Sequence, residues 1–462
     1  MTQLSKKLET RHLNMIALGG SIGTGIFLAS GYTISIAGPG GALLAYTIMA
    51  IVVYFLMMSL GEMSTYHPHS GTFCKYSADY VSPSFGFAMS YNYWFNWATT
   101  LATETSAAVM FTQFWFPDVS VLSLSAMYFF GIFFANIFSV NIYGEVEYWL
   151  SIVKVVAVIA LIFCGLYLLG HHPHLIHKNW TLGDAPFHSG VSGFFAAFLF
   201  AGFAFQGTEL VGVASGETKN PEKSIPSSIK LVFWRLCLFY IVATFIIGSL
   251  LPYTDSDLAN QSVLVSPFTK IFEMTGLKYA PDVINFVILS AVLSAGNSNL
   301  YSATRILWHM GRQGEAPRIF GKITSYGLPI FALLLTAIVG STVFLSSLVG
   351  NAIFFTYIVQ VSSLSGFIAW FGIALSHYRF RKQYVAAGNK VSDLKFSARF
   401  FPVGPIVAML VLLCVMIGQV QGLLIDHTMS LHGFLITYLS VILFAFFFFG
   451  HRICSKWKQQ SA

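Results

Sequence analysis

GGSIGTGIF, residues 19–27, and AGFAFQGTE, residues 201–209, each interrupt a long apolar stretch of this 462-residue chain with glycine. Glycine weakens a helix by about 1 kcal/mol relative to alanine. Irregular backbone at membrane depth occurs only where it is buried in protein or lines a cavity. If these stretches lie in a membrane, the two interruptions predict broken helices at a binding site.

The composition places both interruptions in a lipid bilayer. Hydrophobic residues make up 56% of the chain and charged residues only 9%, which is too apolar for a soluble domain. The first apolar segment has no small-residue cleavage site, so we interpret it as a retained helix and not as a signal peptide. We therefore expect an integral membrane protein.

Apolar stretches of about 20 residues predict twelve membrane-spanning helices. Their approximate bounds are 13–37, 42–65, 86–115, 121–141, 147–170, 192–215, 231–251, 281–308, 328–349, 353–375, 402–424 and 431–450. Cytoplasmic loops carry an excess of Lys and Arg. With both termini in the cytoplasm, only Lys178, Lys270 and Lys278 of the 25 basic residues lie outside. The net charge of +7 thus reflects membrane topology, and we expect no nucleic-acid partner.

The two interruptions fall in the first and the sixth predicted helices. An offset of five helices, an odd number, makes the second unit enter the membrane from the opposite face. This order predicts a single polytopic domain over 1–462, with inverted repeats at 13–170 and 192–375 and two further helices at 402–450. The alternative is that the glycines only allow close packing of helices.

The polarity of broken helices suits a zwitterionic ligand. A half-helix that starts after the first break presents N–H groups near Thr24, Gly25 and Ile26, which bind a carboxylate. A half-helix that ends at the second break presents carbonyl groups near Phe203 and Gln206, which accept from an ammonium group. An α-amino acid carries both groups at a suitable separation.

Several motifs resemble those of the amino acid transporter family in the amino acid/polyamine/organocation superfamily. They are GGSIGTGIFLASG, AGPGGALLAY, SLGEM, YGEVEYW, FAFQGTELVGVASGETKNPEKSIP and SAGNSNLYSATR. Within that family, YNYWFNWATT, LPYTD with VSPFTKIF, and HYRFRKQYVAAG with SDLKFSARFFPVGPI are most similar to the members that carry lysine. The resemblance implies a LeuT-like fold and proton-coupled import of an amino acid through the bacterial cytoplasmic membrane, with L-lysine favoured and arginine, ornithine and aromatic amino acids as alternatives.

The resemblance also implies roles for residues at the two breaks. Gly23, Thr24 and Gly25 match a segment that binds the substrate carboxylate, and Ser21 matches a carbonyl that holds the α-amino group. In the second break, Phe203 matches an aromatic side chain that closes over the substrate, Phe203 and Gln206 supply carbonyl groups, and Ala204 and Thr208 shape the pocket.

Three ionisable residues lie well inside predicted helices, where a charge costs at least about 2.5 kcal/mol and indicates function. Glu104 pairs with the side-chain ammonium of lysine, carries the coupling proton, or forms a structural hydrogen bond. Lys154 either extends to the inner membrane surface or, as the resemblance implies, couples protonation to the broken first helix. Glu209 either carries a proton or holds the second break together.

Other classes of function find less support. The chain contains no GxxxxGK[ST] loop for a nucleotide and no HExxH or GxSxG motif for an enzyme. His171, His172, His174 and His177 lie in a predicted outer loop without a fixed scaffold, so we expect no metal and no cofactor beyond the coupling proton. An amino acid sensor that does not move its ligand shares the binding features and stays an alternative.

Overall fold

The structure is a computed structural model that describes residues 22–68, 72–138, 143–210, 221–259, 266–325, 327–425 and 431–460. Every regular element in these ranges is a helix. The predicted all-α class is therefore confirmed for the described part of the chain.

Sixteen α-helices follow one another along the described ranges. They are α1 Ser30–Tyr66, α2 Thr72–Tyr80, α3 Pro83–Gln113, α4 Val121–Phe138, α5 Tyr143–His171, α6 His174–Trp180, α7 Gly190–Phe205, α8 Pro221–Leu250, α9 Ser256–Ala259, α10 Pro267–Glu273, α11 Ala280–Gln313, α12 Ile330–Gly340, α13 Ser346–Val349, α14 Asn351–Ala386, α15 Val403–Ile425 and α16 Leu431–Gln460. A π-helical turn at Gly25–Ala29 leads into α1.

Helix α1 turns a corner at Gly38. Its backbone there has φ 73° and ψ 170°, which is outside the helical region and favours glycine. Pro39 follows, and the N–H groups of Gly40 and Gly41 donate to the carbonyl of Pro186 at 2.9 and 3.1 Å. The corner explains how two predicted spans, 13–37 and 42–65, lie in one nearly continuous helical run.

Seven helical segments among the described residues are long and apolar enough to cross a bilayer. Three shorter apolar helices accompany them, at Val121–Ile137, Gly190–Phe205 and Cys237–Leu250. Each of the twelve predicted ranges contains helical residues in the structure, but the prediction that all twelve cross the membrane is not tested by it.

The connections between several predicted spans are partly helical. Helix α14 continues to Ala386, well beyond the predicted end at residue 375, and short helices interrupt both 171–191 and 252–280. In α14 the aromatic rings of Phe380 and Tyr384 pack 5.8 Å apart and are buried, which extends the apolar face of the helix past the predicted end at residue 375.

The packing brings the interrupted segments to the middle of the bundle. Helix α3 packs against α11, α14 and α16, whereas α1 packs against α7 and α8. The π-helical turn before α1 also contacts α7. The first and second breaks therefore lie side by side.

Candidate substrate site

The first break lies immediately before the π-helical turn. The chain bends at Ile22 and Gly23, and helical structure begins at Thr24. A helix that starts here leaves the N–H groups of its first turn without partners in that helix. Ile26 departs from the prediction, because its N–H donates to the carbonyl of Gly23 at 3.2 Å and so is not free for a ligand.

The two breaks meet at Gly25 and Ala204. A Cβ atom added to Gly25 would lie 2.9 Å from the Cβ of Ala204 and closer still to its Cα. Only glycine allows this approach of the two backbones. The carbonyl of Gly25 also accepts a hydrogen bond from the Tyr46 hydroxyl at 3.5 Å.

Glu104 reaches the first break from α3. Its side chain is 4% exposed, and the Thr24 hydroxyl donates to its Oε2. A Cβ atom added to Gly23 would lie 3.0 Å from Oε1 of the same carboxylate. Glu104 thus occupies the helix N-terminus that we predicted for the substrate carboxylate.

Lys154 lies in α5 and is completely buried. Its positive charge acts electrostatically on the Glu104 carboxylate, which is the carboxylate predicted to contact the substrate. Burial in protein contradicts the interpretation that Lys154 extends to the inner membrane surface.

The second break begins where α7 ends at Phe205. Gln206 has an extended backbone, and Gly207 has φ 96°. The carbonyl of Phe203 accepts from the N–H of Gln206 at 3.1 Å, which leaves it one lone pair for a ligand. The Thr208 hydroxyl donates to the carbonyl of Phe205 at 3.1 Å, so it provides a hydrogen-bond partner for the backbone at the end of α7.

The side chain of Gln206 turns towards α14 and α3. Its Nε2 donates to the carbonyl of Ser362 at 3.2 Å, and a Cβ atom on Gly366 would overlap it. The Ser362 hydroxyl lies 3.2 Å from Oδ1 of Asn96 and 2.8 Å from the Thr100 hydroxyl. This buried polar network ties the second break to two neighbouring helices.

Glu209 closes the second break. Its Oε2 accepts from the N–H of Gly207 at 3.1 Å and from the Trp370 indole at 3.3 Å, while Oε1 accepts from the Tyr93 hydroxyl at 3.5 Å. These contacts show that Glu209 holds the break to α3 and α14, as one of its two predicted roles requires.

The structure therefore brings together part of the predicted site. Gly23, Thr24, Gly25, Glu104 and Ala204 form one contiguous cluster with Lys154 close by. The side chains of Gln206, Thr208 and Glu209 instead serve the second break and its neighbours, and Ser21 lies outside the described residues.

A model of the amino acid permease family matches residues 12–461. The chain belongs to the amino acid permease family. The match confirms the family resemblance of the sequence motifs, and the family is one of transporters. Together with its long apolar helices, it makes this permease a multi-pass protein of the inner membrane, as expected.

Three relatives resemble this permease over nearly their whole length. It is 45% identical to the lysine-specific permease LysP of Escherichia coli K12, over 97% of this chain and 94% of that protein. It is 43% identical to LysP of Lactococcus lactis MG1363, over 99% of this chain and 91% of that protein. The histidine permease HisP of the same Lactococcus strain is also 43% identical, over 99% of this chain and 95% of that protein.

The permease also contains a buried ion pair that sequence reasoning did not identify. Arg381 of α14 donates through Nε to Oε1 of Glu62 at 2.6 Å and through Nη2 to Oε2. The N–H of Ala398 adds a bond of 2.6 Å, and Nε2 of His377 lies 3.2 Å from Oε1. Arg381 lies beyond the predicted span 353–375, and the continuation of α14 to Ala386 brings it to Glu62.

The first half-helix is covered by the segment around α9 and α10. The Ser266 hydroxyl, just before α10, donates to the carbonyl of Phe27 at 2.5 Å. Leu258 and Pro267 pack so closely on Gly31 that an added Cβ atom would lie 2.9 and 3.1 Å from them. The segments α9 and α10 thus lie over the first half-helix.

Proposed function

We propose that this permease imports L-lysine by proton symport and alternating access. The observation that carries the proposal is the cluster at which the two breaks meet, with a buried carboxylate at Glu104 and a buried ammonium group at Lys154. The two LysP relatives, both named as lysine-specific permeases, support lysine as the substrate.

The proposed frame has twelve membrane helices and both termini in the cytoplasm. Helices one to five at 13–170 and six to ten at 192–375 form a LeuT-like inverted repeat, and 402–450 adds two helices. The side-by-side position of the breaks supports this arrangement, since inverted repeats place discontinuous helices around one midplane site.

In the proposed complex, the lysine carboxylate binds the first half-helix at Thr24 and Gly25. Its α-amino group binds carbonyl groups of Ser21, Phe203 and Gln206. Phe203 closes over the substrate, and Ala204 and Thr208 shape its surroundings. The helix N-terminus favours the carboxylate because its N–H groups and dipole are positive there.

Substrate binding requires Glu104 to change partners. Two carboxylates repel at the same helix N-terminus, so the lysine carboxylate takes over the Thr24 hydroxyl. Glu104 is then free to pair with the ε-ammonium group, and this charge-assisted contact is strong in a buried site.

Lys154 supplies the proposed link to the proton. In this proposal the ammonium group of Lys154 stabilises the Glu104 carboxylate, and the electrostatic attraction between the two groups supports that role. Loss of that proton removes the attraction and loosens α5 from the first break. Glu209 is a second proton carrier in this proposal, although its present contacts stabilise the second break.

Transport in proteoliposomes tests the assignment of roles. Glu104→Gln preserves an acceptor for Thr24 but not the charge, so lysine should bind at least about tenfold more weakly. Lys154→Ala should retain exchange of labelled for unlabelled lysine but lose accumulation driven by a pH gradient. Lys278→Ala, at an exposed position in the predicted outer loop, is the control.

Either of two results would contradict these roles. Full pH-driven accumulation by Lys154→Ala would remove the coupling role, and unchanged lysine affinity of Glu104→Gln would remove the substrate contact. Lysine also carries its own charge, worth about 2.3 kcal/mol per 100 mV of membrane potential. The potential must therefore be clamped when the pH gradient is varied.

Histidine is the second candidate substrate, because HisP is as similar as one of the LysP relatives. Competition of labelled lysine uptake by the twenty amino acids and ornithine separates these possibilities. Exchange of substrate across the membrane also separates a transporter from a sensor, which binds the amino acid without moving it.

A further inference from the structure

A cleft of about 430 Å³ runs along the last turns of α14, away from the substrate site. Its lining residues are Tyr378, Arg379, Lys382, Gln383 and Ala386, and its surface is mainly carbon. These positions share one face of the helix, since they recur at three- and four-residue intervals.

Two cations stand at this cleft. Arg379 and Lys382 are both exposed, and the described residues contain no carboxylate within 4.0 Å of either group. The Nζ of Lys382 lies 4.7 Å from the centre of the Tyr378 ring, which holds the ammonium group beside the cleft. The cleft therefore combines an apolar wall with an uncompensated double positive charge.

The length of α14 places the cleft at a membrane surface. The helix has 36 residues and therefore measures about 54 Å, whereas the hydrocarbon core is only about 30 Å thick. Tyr378 lies about 40 Å from the first residue of the helix at 1.5 Å per residue. The cleft thus lies beyond the hydrocarbon core, at the level of lipid headgroups.

We propose that this cleft binds an anionic phospholipid. The phosphate would lie between Arg379 and Lys382, and the glycerol and upper acyl chain would cover the apolar wall. An inorganic phosphate ion neutralises the two cations but leaves the apolar wall exposed. An uncharged lipid covers the wall but leaves the cations without a counter-charge. An anionic phospholipid matches both halves of the cleft.

Native mass spectrometry of the delipidated full-length protein tests this site. Phosphatidylglycerol should bind the unaltered protein, and phosphatidylethanolamine should bind more weakly. Each cation near a membrane surface contributes about fivefold to binding, so Arg379→Gln with Lys382→Gln should weaken phosphatidylglycerol binding by roughly 25-fold. Ala386→Trp fills the cleft without altering charge and should weaken binding by at least about fivefold.

The control removes two exposed cations elsewhere, Arg318→Gln with Lys322→Gln, and should change binding less than about twofold. An equal loss in this control would indicate diffuse attraction, and normal binding by Ala386→Trp would show that the cleft is not used. Displacement of the lipid by millimolar inorganic phosphate would also overturn the proposal. If the double variant does not fold, each single variant should show its own fivefold loss. Binding is measured without transport, so the result does not depend on the substrate.

Discussion

Gly25 is the residue at which the two interrupted helices touch. Its missing side chain leaves room for Ala204, and an added Cβ atom would overlap the backbone there. No rotation of a flexible side chain relieves that overlap, because the neighbouring atoms are the main chain and the Cβ of Ala204. The contact makes the separation of the breaks sensitive to a single methyl group.

Gly25→Ala should therefore reduce lysine exchange in proteoliposomes by at least about tenfold, since an error of 1 Å at a binding site costs as much or more. Gly131→Ala is a matched control, because nothing lies within 4 Å of a Cβ atom at Gly131. It should transport normally. Normal exchange by Gly25→Ala would show that the breaks do not need this contact.

At the scale of helices, the pair Glu62 and Arg381 joins the second half of α1 to the end of α14. Both side chains are buried, with exposed fractions of 0% and 6%. Removing one partner of a buried ion pair destabilises the fold by more than the intact pair stabilises it, because the remaining charge is left buried without a counter-charge. This junction is far more sensitive than the exposed pair Lys75 and Asp79.

Glu62→Gln should lower the free energy of unfolding by about 3 kcal/mol or more and reduce the melting temperature in detergent. Asp79→Asn, which breaks the exposed pair, should cost no more than about 0.5 kcal/mol. Adding Arg381→Gln to Glu62→Gln should restore part of the loss. Equal effects of the two single variants would contradict the role assigned to burial.

The corner between the two halves of α1 depends on the loop that contains Asp184. The Asp184 carboxylate accepts from the Tyr253 hydroxyl at 2.6 Å and from Nδ1 of His188 at 2.7 Å. These hydrogen bonds lower the pKa of Asp184 to about 2 from its ordinary 3.8. Because the folded pKa is the lower one, the contacts stabilise the fold above about pH 4 and are lost as the pH falls to about 2.

Tyr253→Phe should raise the pKa of Asp184, so that acid destabilisation begins at a higher pH. Melting temperatures measured between pH 6 and pH 2.5 would show a steeper early decline than in the unaltered protein. Tyr279→Phe removes a hydroxyl from an exposed ring outside this cluster and is the control. Superimposable profiles for Tyr253→Phe and the unaltered protein would rule out this anchoring of the corner.

At the scale of the whole molecule, the basic residues predict which loops face the cytoplasm. A fluorescent protein fused to the C-terminus should fluoresce, and alkaline phosphatase fused there should be inactive. Phosphatase inserted after Gly276 should be active because that loop is predicted outside, whereas insertion after Gly388 should give no activity. The same activity at both positions would contradict the predicted topology.

Much of the architecture could be read from local properties of the chain. Apolar length predicted helical ranges because a bilayer demands about 20 apolar residues for each crossing, and glycine marked both breaks because it destabilises a helix. The same reasoning did not predict where α14 ends. The predicted span ends at residue 375 because charged residues such as Arg379 and Lys382 follow it, but long basic side chains also suit the surface of a helix that continues beyond the membrane.

The family, the helical class and the two breaks follow from the amino-acid sequence alone, since each depends on residue type and order along the chain. Three contacts required the folded molecule: Gly25 meets Ala204, Glu104 occupies the Thr24 end of the first half-helix, and Arg381 neutralises Glu62. These contacts join residues from separate helices, and hydropathy along one helix carries no information about which faces meet. Which faces meet is decided by the packing between helices, which depends on the shapes of both surfaces.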